Sequence, residues 1–334
     1  MYSKHLYNTP YHKTDISQSS FLITGGAGFI GSNIVEYLLR YNAGKVRVLD
    51  NLSNGYFENI KDFINLPNFE FIEGDIRDFE TCKFSVEGMD YISHQAALGS
   101  VPRSIKDPIT TNQVNNDGFL NIITAAKDEA NVIKLVYAAS SSTYGDHPGL
   151  PKKENLIGKP LSPYAITKFV NELYGDVFSR IYNFHSIGLR YFNVFGPNQS
   201  PNNPYAAVIP LFLKAAKLKE SPIINGDGET SRDFTFVENV VQANVKSLLE
   251  CNKINTHEVC NVACGDRTSL SELWEIICSI EGIELCPIYK PERNGDIKHS
   301  LADISKATEL FNFHPLIKIR EGLELTLNTD QYAE

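Results

Sequence analysis

One stretch limits the possible folds of this chain more than any other. Phe21-Leu22-Ile23-Thr24 is a short apolar run with the character of a buried strand, and it passes straight into Gly25-Gly26-Ala27-Gly28-Phe29-Ile30-Gly31. Ile34, Val35, Leu38 and Leu39 then recur at helical spacing, so an amphipathic helix is expected from near Ser32. Gly26, Gly28 and Gly31 fit G-x-G-x-x-G, and Gly25, Gly28 and Gly31 fit G-x-x-G-x-x-G. Glycines in a strand-to-helix turn let the backbone touch a pyrophosphate, and the helix N-terminus supplies free N–H groups to it. Gly25, Gly28, Phe29, Ile30 and Gly31 are therefore candidate dinucleotide contacts. The next strand, Val46-Arg47-Val48-Leu49, ends on Asp50, nineteen residues past Gly31 and near the spacing of a carboxylate that holds the adenosine ribose. A carboxylate there repels a 2′-phosphate, and no arginine follows closely. NAD rather than NADP is expected, with Asn51 beside Asp50 as a further contact.

Strands continue to alternate with helices. Phe69–Glu73, Tyr91–His94, Lys134–Ala139 and His185–Arg190 read as strands, and a helix is expected over about 116–130. This order implies an α/β fold with a doubly wound, Rossmann-like parallel sheet, whose ligands sit at the carboxyl ends of the strands. Asp75 and Ile76, Ala96 and Ala97, and Ser140-Ser141-Ser142 all fall at such ends. After Arg190 the chain becomes rich in Asn, Pro and Gly. Helices are expected near 205–219, 237–249, 270–281 and 304–311, with a strand at Val259–Val262. The expected division is a polar N-terminal arm over 1–19, an NAD-binding domain over 20–190 plus 233–262, and a smaller mixed α/β C-terminal substrate lobe over 191–232 plus 263–330.

Tyr164-Ala165-Ile166-Thr167-Lys168 opens a long helix, with Ser162 as N-cap and Pro163 at the first helical position. Four residues make about one turn, so the phenol and the ammonium share a face. A cation there favours the phenolate and draws the tyrosine pKa down, which makes an acid–base device. Tyr-x-x-x-Lys also occurs by chance on amphipathic helices. Its weight comes from the glycine turn and the serine cluster in the same chain.

Composition narrows the field. At 334 residues the chain suits a large domain with a second lobe. No apolar run approaches the roughly 20 residues of a membrane span, and residues 1–19 lack the features of a signal peptide, so a cytoplasmic address is expected. A net charge of −9 without a basic cluster argues against nucleic acid as partner. The six cysteines form no Cys-x-x-Cys, so reduced thiols and no metal site are expected.

Glycine turn with Asp50, hydroxyl cluster, and Tyr164 with Lys168 occur in one order. Together they resemble the extended short-chain dehydrogenase/reductases over roughly residues 20–325. Within these the chain is most similar to nucleotide-sugar 4-epimerases, above all those acting on UDP-N-acetylglucosamine. The matching text includes Ala96–Ser104, Ala139–Pro148, Leu189–Gly196, Asn225–Phe234 and His299–Asp303. The resemblance implies that NAD stays bound and that Tyr164, as phenolate, takes the proton of the sugar 4-hydroxyl while carbon 4 gives up hydride. Lys168 would bond the nicotinamide ribose. Ser140, Ser141 or Ser142 would relay the proton. The 4-keto sugar would then turn over and be reduced from its other face. Asp75 and Ile76 would edge the adenine, Ala96 and Ala97 the nicotinamide, and Asn115 would face the cofactor pocket. Gly99, Ser100, Arg103, Ser142, Asn193, Ala207, Val208 and Asn225 would border the UDP-sugar. Arg232 and Arg293 would pair with its diphosphate, and Asp296 with the uridine ribose. Ser300, where relatives restricted to non-acetylated sugars carry a bulky aromatic, would leave room for an N-acetyl group. UDP-GlcNAc/UDP-GalNAc interconversion is expected, with UDP-glucose or N-acetyl uronic acid forms as further substrates and surface polysaccharide synthesis as the consumer.

Three alternatives share the fold. A 4,6-dehydratase needs an Asp-Glu pair where this chain has Ser141-Ser142. A decarboxylase needs a uronic acid substrate and a cation for its carboxylate. A non-catalytic NAD sensor commonly lacks the Tyr or the Lys. Family members usually pair through the Tyr164 helix and the helix from about residue 116. Apolar Phe169, Val170, Leu173, Val177, Phe178 and Ile181 lie on more than one face of the former, so a homodimer is expected.

Overall fold

Seven strands form one parallel sheet at the centre of the structure, a computed structural model that describes residues 3, 5–200, 207–251, 256–292 and 298–329. In chain order the strands are β1 (Ser20–Thr24), β2 (Lys45–Asp50), β3 (Phe69–Glu73), β4 (Tyr91–His94), β5 (Lys134–Ser140), β6 (Ser186–Tyr191), β7 (Val194–Phe195), β8 (Ile223–Asn225), β9 (Ser231–Arg232), β10 (Thr235–Phe236), β11 (His257–Val262), β12 (Thr268–Ser269) and β13 (Ile288–Lys290). The helices are α1 (Phe29–Arg40), α2 (Phe79–Val86), α3 (Val101–Lys106), α4 (Pro108–Asn112), α5 (Gly118–Asp128), α6 (Pro163–Tyr182), α7 (Val208–Leu218), α8 (Val237–Leu249), α9 (Leu270–Glu281), α10 (Ser305–Phe311) and α11 (Ile319–Leu327).

The sheet order is β11-β6-β5-β4-β1-β2-β3. From β1 the chain winds outward through β2 and β3, then crosses back to place β4 on the other side of β1. Loops leaving β1 and β4 therefore diverge, and a crevice opens above their carboxyl ends. Helices cover both faces, which is why strands such as Ser186–Tyr191 are buried along their whole length. α8 packs on α1, and β11 pairs with β6, so residues 237–262 return to the sheet after the excursion that follows β6. β8 pairs with β13 and β9 with β12 beside the sheet, and Phe212 of α7 meets Trp274 of α9 edge-on at 5.7 Å.

Helix α1 begins at Phe29, three residues before the expected start, because Gly28 takes an extended conformation and serves as N-cap. The helix expected over 116–130 is α5, preceded by a π-helical turn at Gln113–Asp117. Its apolar Phe119, Ile122 and Ile123 are buried in the molecule rather than offered to a second copy. The exposed apolar residues near α6 lie instead on α3 and α4. Residues 5–19, expected as a polar arm, bury Leu6, Tyr7, Tyr11 and Ile16 in the main core. The aromatic rings decide this. Tyr11 stacks on Tyr37 of α1 at 5.2 Å, Tyr7 donates its hydroxyl to Asn33 at 2.6 Å, and the Tyr11 hydroxyl donates to Glu238 of α8.

Candidate active site

A cavity of about 610 Å³ lies above the carboxyl ends of β1, β2, β4 and β5. The turn after β1 forms one wall. Gly25 has a positive φ of 67°, and a Cβ on it would lie 2.7 Å from the Ala96 amide nitrogen. A Cβ on Gly31 would lie 2.1 Å from the Gly25 carbonyl oxygen. These two positions let α1 start against the strand. Gly28 caps the helix without a side-chain bond, so the first-turn N–H groups remain for a ligand anion. Gly28, Phe29 and Ile30 face the cavity. Asp50, at the end of β2, accepts from the Ala27 N–H at 2.9 Å and the Leu52 N–H at 2.9 Å. Burial pushes its carboxyl up, and those two N–H groups counter the shift. Asn51 donates to Asp75 at 2.9 Å, and the Arg77 guanidinium holds the Asp75 carboxyl down to about 2. A glycine cradle with no room for side chains, a helix N-terminus and a ribose-side carboxylate together fit the dinucleotide NAD.

The second wall carries the acid–base groups. Ser162 accepts from the Ala165 N–H at 3.1 Å and starts α6, which aims Tyr164 and Lys168 at the cavity. Ser140, the last residue of β5, and Ser141 line the same space. Ser142 lies behind them and donates its hydroxyl to Ser140 Oγ at 2.9 Å. Lys168 Nζ donates to the Ala138 carbonyl at 2.7 Å. Burial pushes its pKa down to about 8, and Glu172 one turn on opposes this. The expected lowering of Tyr164 is corrected. Loss of water around the phenol raises its pKa, and the hydrogen bond with Ser140 is what counters that shift. The ammonium is held at the β5 carbonyl rather than at the phenol oxygen.

Other candidates divide. Ile76, Ala96, Ala97, Gly99, Ser100, Asn193 and Ala207 line the cavity. Asn115 does not face it. Its side chain accepts from the Leu98 N–H at 2.8 Å and donates to Thr167 Oγ1 at 3.0 Å, so it braces the loop after β4 against α6. Arg103 donates to Asn54 at 3.2 Å, and Arg232 turns back to the carbonyls of Ser231 and Lys298. Val208, Asn225 and Ser300 also lie outside the cavity wall. Arg293 and Asp296 lie outside the described residues. Sequence reasoning passed over Gln95 and Tyr191, which line the cavity floor. The Tyr191 hydroxyl donates to Gln95 at 3.1 Å, and both bond Asn244 of α8. Their place directly after β4 and at the end of β6 was the available signal. Among the described residues no cluster of His, Cys, Asp or Glu could hold a metal, and no helix is long and apolar enough to cross a membrane.

Residues 21–263 match the NAD dependent epimerase/dehydratase family. A putative UDP-glucose 4-epimerase of Methanocaldococcus jannaschii is 37% identical over 92% of this chain and 97% of its own. The structure of a UDP-N-acetylglucosamine 4-epimerase from Methanobrevibacter ruminantium, in complex with UDP-N-acetylmuramic acid, superposes with a TM-score of 0.87. It is 42% identical and covers 92% of this chain and 97% of that one. A UDP-glucuronic acid 4-epimerase from Bacillus cereus, with UDP-glucuronic acid and NAD bound, has a TM-score of 0.84 at 29% identity, over 92% and 97%. The chain belongs to the NAD-dependent epimerase/dehydratase family, as an enzyme of the nucleotide-sugar 4-epimerase kind with NAD as its cofactor.

Proposed function

We propose that this enzyme interconverts UDP-GlcNAc and UDP-GalNAc by inverting carbon 4 of the sugar. The observation that carries this reading is the meeting of Tyr164, Lys168 and Ser140 in the same cavity as the glycine cradle. Bound NAD supplies the acceptor that takes hydride from carbon 4 and gives it back. Tyr164 takes the proton of the 4-hydroxyl and returns it after the ring has turned over. Ser140 bonds the same oxygen, with Ser142 behind it as the next hydroxyl of a relay. Lys168 would bond the nicotinamide ribose of bound NAD, and its charge, one helical turn from the phenol, would favour the phenolate. Residues 191–232 and 263–330 form the nucleotide-sugar lobe. In it Asn193 and Ala207 border the diphosphate and nucleotide, Asn225 the uridine, and Arg232 pairs with the diphosphate; Arg293 and Asp296, assigned to the diphosphate and the uridine ribose, lie outside the described residues. Ser300 leaves space for the N-acetyl group. The pair of copies that works in solution is a homodimer seated on α6.

The experiment is a panel of UDP-GlcNAc, UDP-Glc and their uronic acids, each scored for its 4-epimer, on wild type and Ser300→Tyr. UDP-GlcNAc should be the best substrate of the wild type. The variant should lose at least about tenfold on acetylated sugars and keep its rate on UDP-Glc, since an overfilled pocket rejects the larger ligand. Full activity of Ser300→Tyr on UDP-GlcNAc would refute the sugar assignment.

A further inference from the structure

Asp233 is wholly buried and has no place in the chemistry described above. It follows Arg232 and sits where three separate segments meet. Its Oδ1 accepts from the Cys264 N–H at 2.9 Å. Its Oδ2 accepts from the Gly265 N–H at 3.1 Å and the Ala302 N–H at 3.2 Å. Its carbonyl accepts from the side-chain amide of Asn193 at 3.0 Å. Asn193 lines the cavity in a left-handed conformation, φ 36°, and its own carbonyl accepts from the Thr235 N–H at 3.3 Å. The segment that ends at Ala302 begins with Ser300, whose N–H donates to the Ser231 carbonyl at 3.1 Å. Asp233 thus fastens Asn193 and the Ser300 segment to one point, while the cofactor cradle at 25–31 and Asp50 make no bond to it.

We propose that Asp233 is a positioning residue for the UDP-sugar, fixing where Asn193 on the cavity wall and the Ser300 segment beyond it stand relative to the ligand. The inference rests on the reading that these two segments border the sugar nucleotide. A carboxylate accepts three backbone N–H groups here, whereas an amide has one acceptor oxygen and would turn donors against donors. Asp233→Asn should therefore loosen both segments together and leave NAD in place.

The ionised form is the one that accepts all three bonds. Burial pushes the Asp233 carboxyl up to about 7, so the ionised form dominates at pH 8, is about half of the population at neutral pH and is lost as pH falls further. The charged and titratable groups around it are Arg232 on its own segment, Asp266 and the Cys264 thiol on the turn after β11, His299 on the Ser300 segment, and Lys318, whose ammonium donates to the Cys264 carbonyl. Cys264 is pushed up to about 12 by burial and stays neutral. A UDP-sugar diphosphate has no titrating oxygen in this range, so a change in its affinity reports the protein.

The test compares wild type and Asp233→Asn by steady-state kinetics on each UDP-sugar that turns over, by calorimetric titration with UDP-GlcNAc, and by NAD released on denaturation. The variant should raise KM and Kd about tenfold or more, hold kcat within about threefold, and release as much NAD as wild type. An unchanged KM and Kd, or a fall in kcat and NAD content at constant KM, would overturn the proposal. Should the variant not fold, the wild type alone decides. Its Kd should rise as pH falls from 8 to 5.5, and a flat Kd over that range counts against Asp233. A wrong sugar assignment changes which substrate is assayed. A wrong assignment of Asp233 leaves the variant-to-wild-type KM ratio near one for all of them.

Discussion

At Lys168 two demands conflict. The ammonium must stay charged to stabilise a phenolate, yet the site strips it of water and brings its pKa down to about 8. The charged form is lost as pH rises through that value, so kcat should fall above pH about 8, approaching about tenfold per unit. Lys168→Arg keeps its charge throughout and should flatten that limb. Its planar fork does not reproduce the single bond to the Ala138 carbonyl, so kcat at pH 7 should drop by about 10- to 100-fold. A pH profile of kcat from 6 to 10 checks both. An alkaline limb that persists in the arginine variant would assign it to another group. The i, i+4 spacing of Tyr164 and Lys168 was legible in the sequence because helix geometry alone puts them on one face. Where the ammonium points was not, because a carbonyl of β5, thirty residues away in the chain, decides it. Asn115 failed for the same reason. Its amide is consumed by Leu98 and Thr167, partners that only the folded loop brings near.

Elements with a strong period were readable from the chain, and short ones were not. The strands at Phe69–Glu73 and Lys134–Ser140 and the helices at Val237–Leu249 and Leu270–Glu281 carry runs long enough to fix their own kind. Helices α3 and α4, of six and five residues, are shorter than two turns and show no period. Capping and packing hold them instead, through Ser100 and Asp107, each of which accepts an N–H three residues on. The start of α1 depends on closeness rather than pattern. A methyl at Gly31 would sit 2.1 Å from the Gly25 carbonyl oxygen, so Gly31→Ala must push α1 away from the turn after β1. The N–H groups that would meet a pyrophosphate move with it. Gly31→Ala should retain less than about a tenth of the NAD of wild type, read as NAD released from denatured protein, and lose activity in proportion. Near-stoichiometric NAD in the variant would show that the cradle is not where the cofactor is held.

Over the whole molecule, the doubly wound sheet was legible because strand and helix periods alternate up to β6. The return of α8 was legible because Val237, Val240, Val241, Val245, Leu248 and Leu249 recur at helical spacing, and that of β11 because Val259, Cys260 and Val262 make a short apolar stretch. The N-terminal arm misled because its polar residues outnumber four buried ones, Leu6, Tyr7, Tyr11 and Ile16, that are spread over eleven positions without a period. What composition leaves open, exposure now narrows. Ile166, Leu173 and Ile181 on α6 are 52%, 51% and 66% exposed, and spacings of seven and eight residues put them on one side of the helix. α3 and α4 pack beside α6 and add Ile105 at 64% and Ile109 at 71% exposed. A lone chain gains nothing by showing five branched aliphatic side chains together, whereas a second copy would cover them. The protein at micromolar concentration should therefore sediment at twice the 37.4 kDa chain mass. Ile105→Asp with Ile166→Asp, each placing a charge in the contact, should give monomer with unchanged NAD content, because neither residue lines the cavity. A wild type that sediments as monomer would refute the homodimer, and a double variant that stays dimeric would move the contact away from α6.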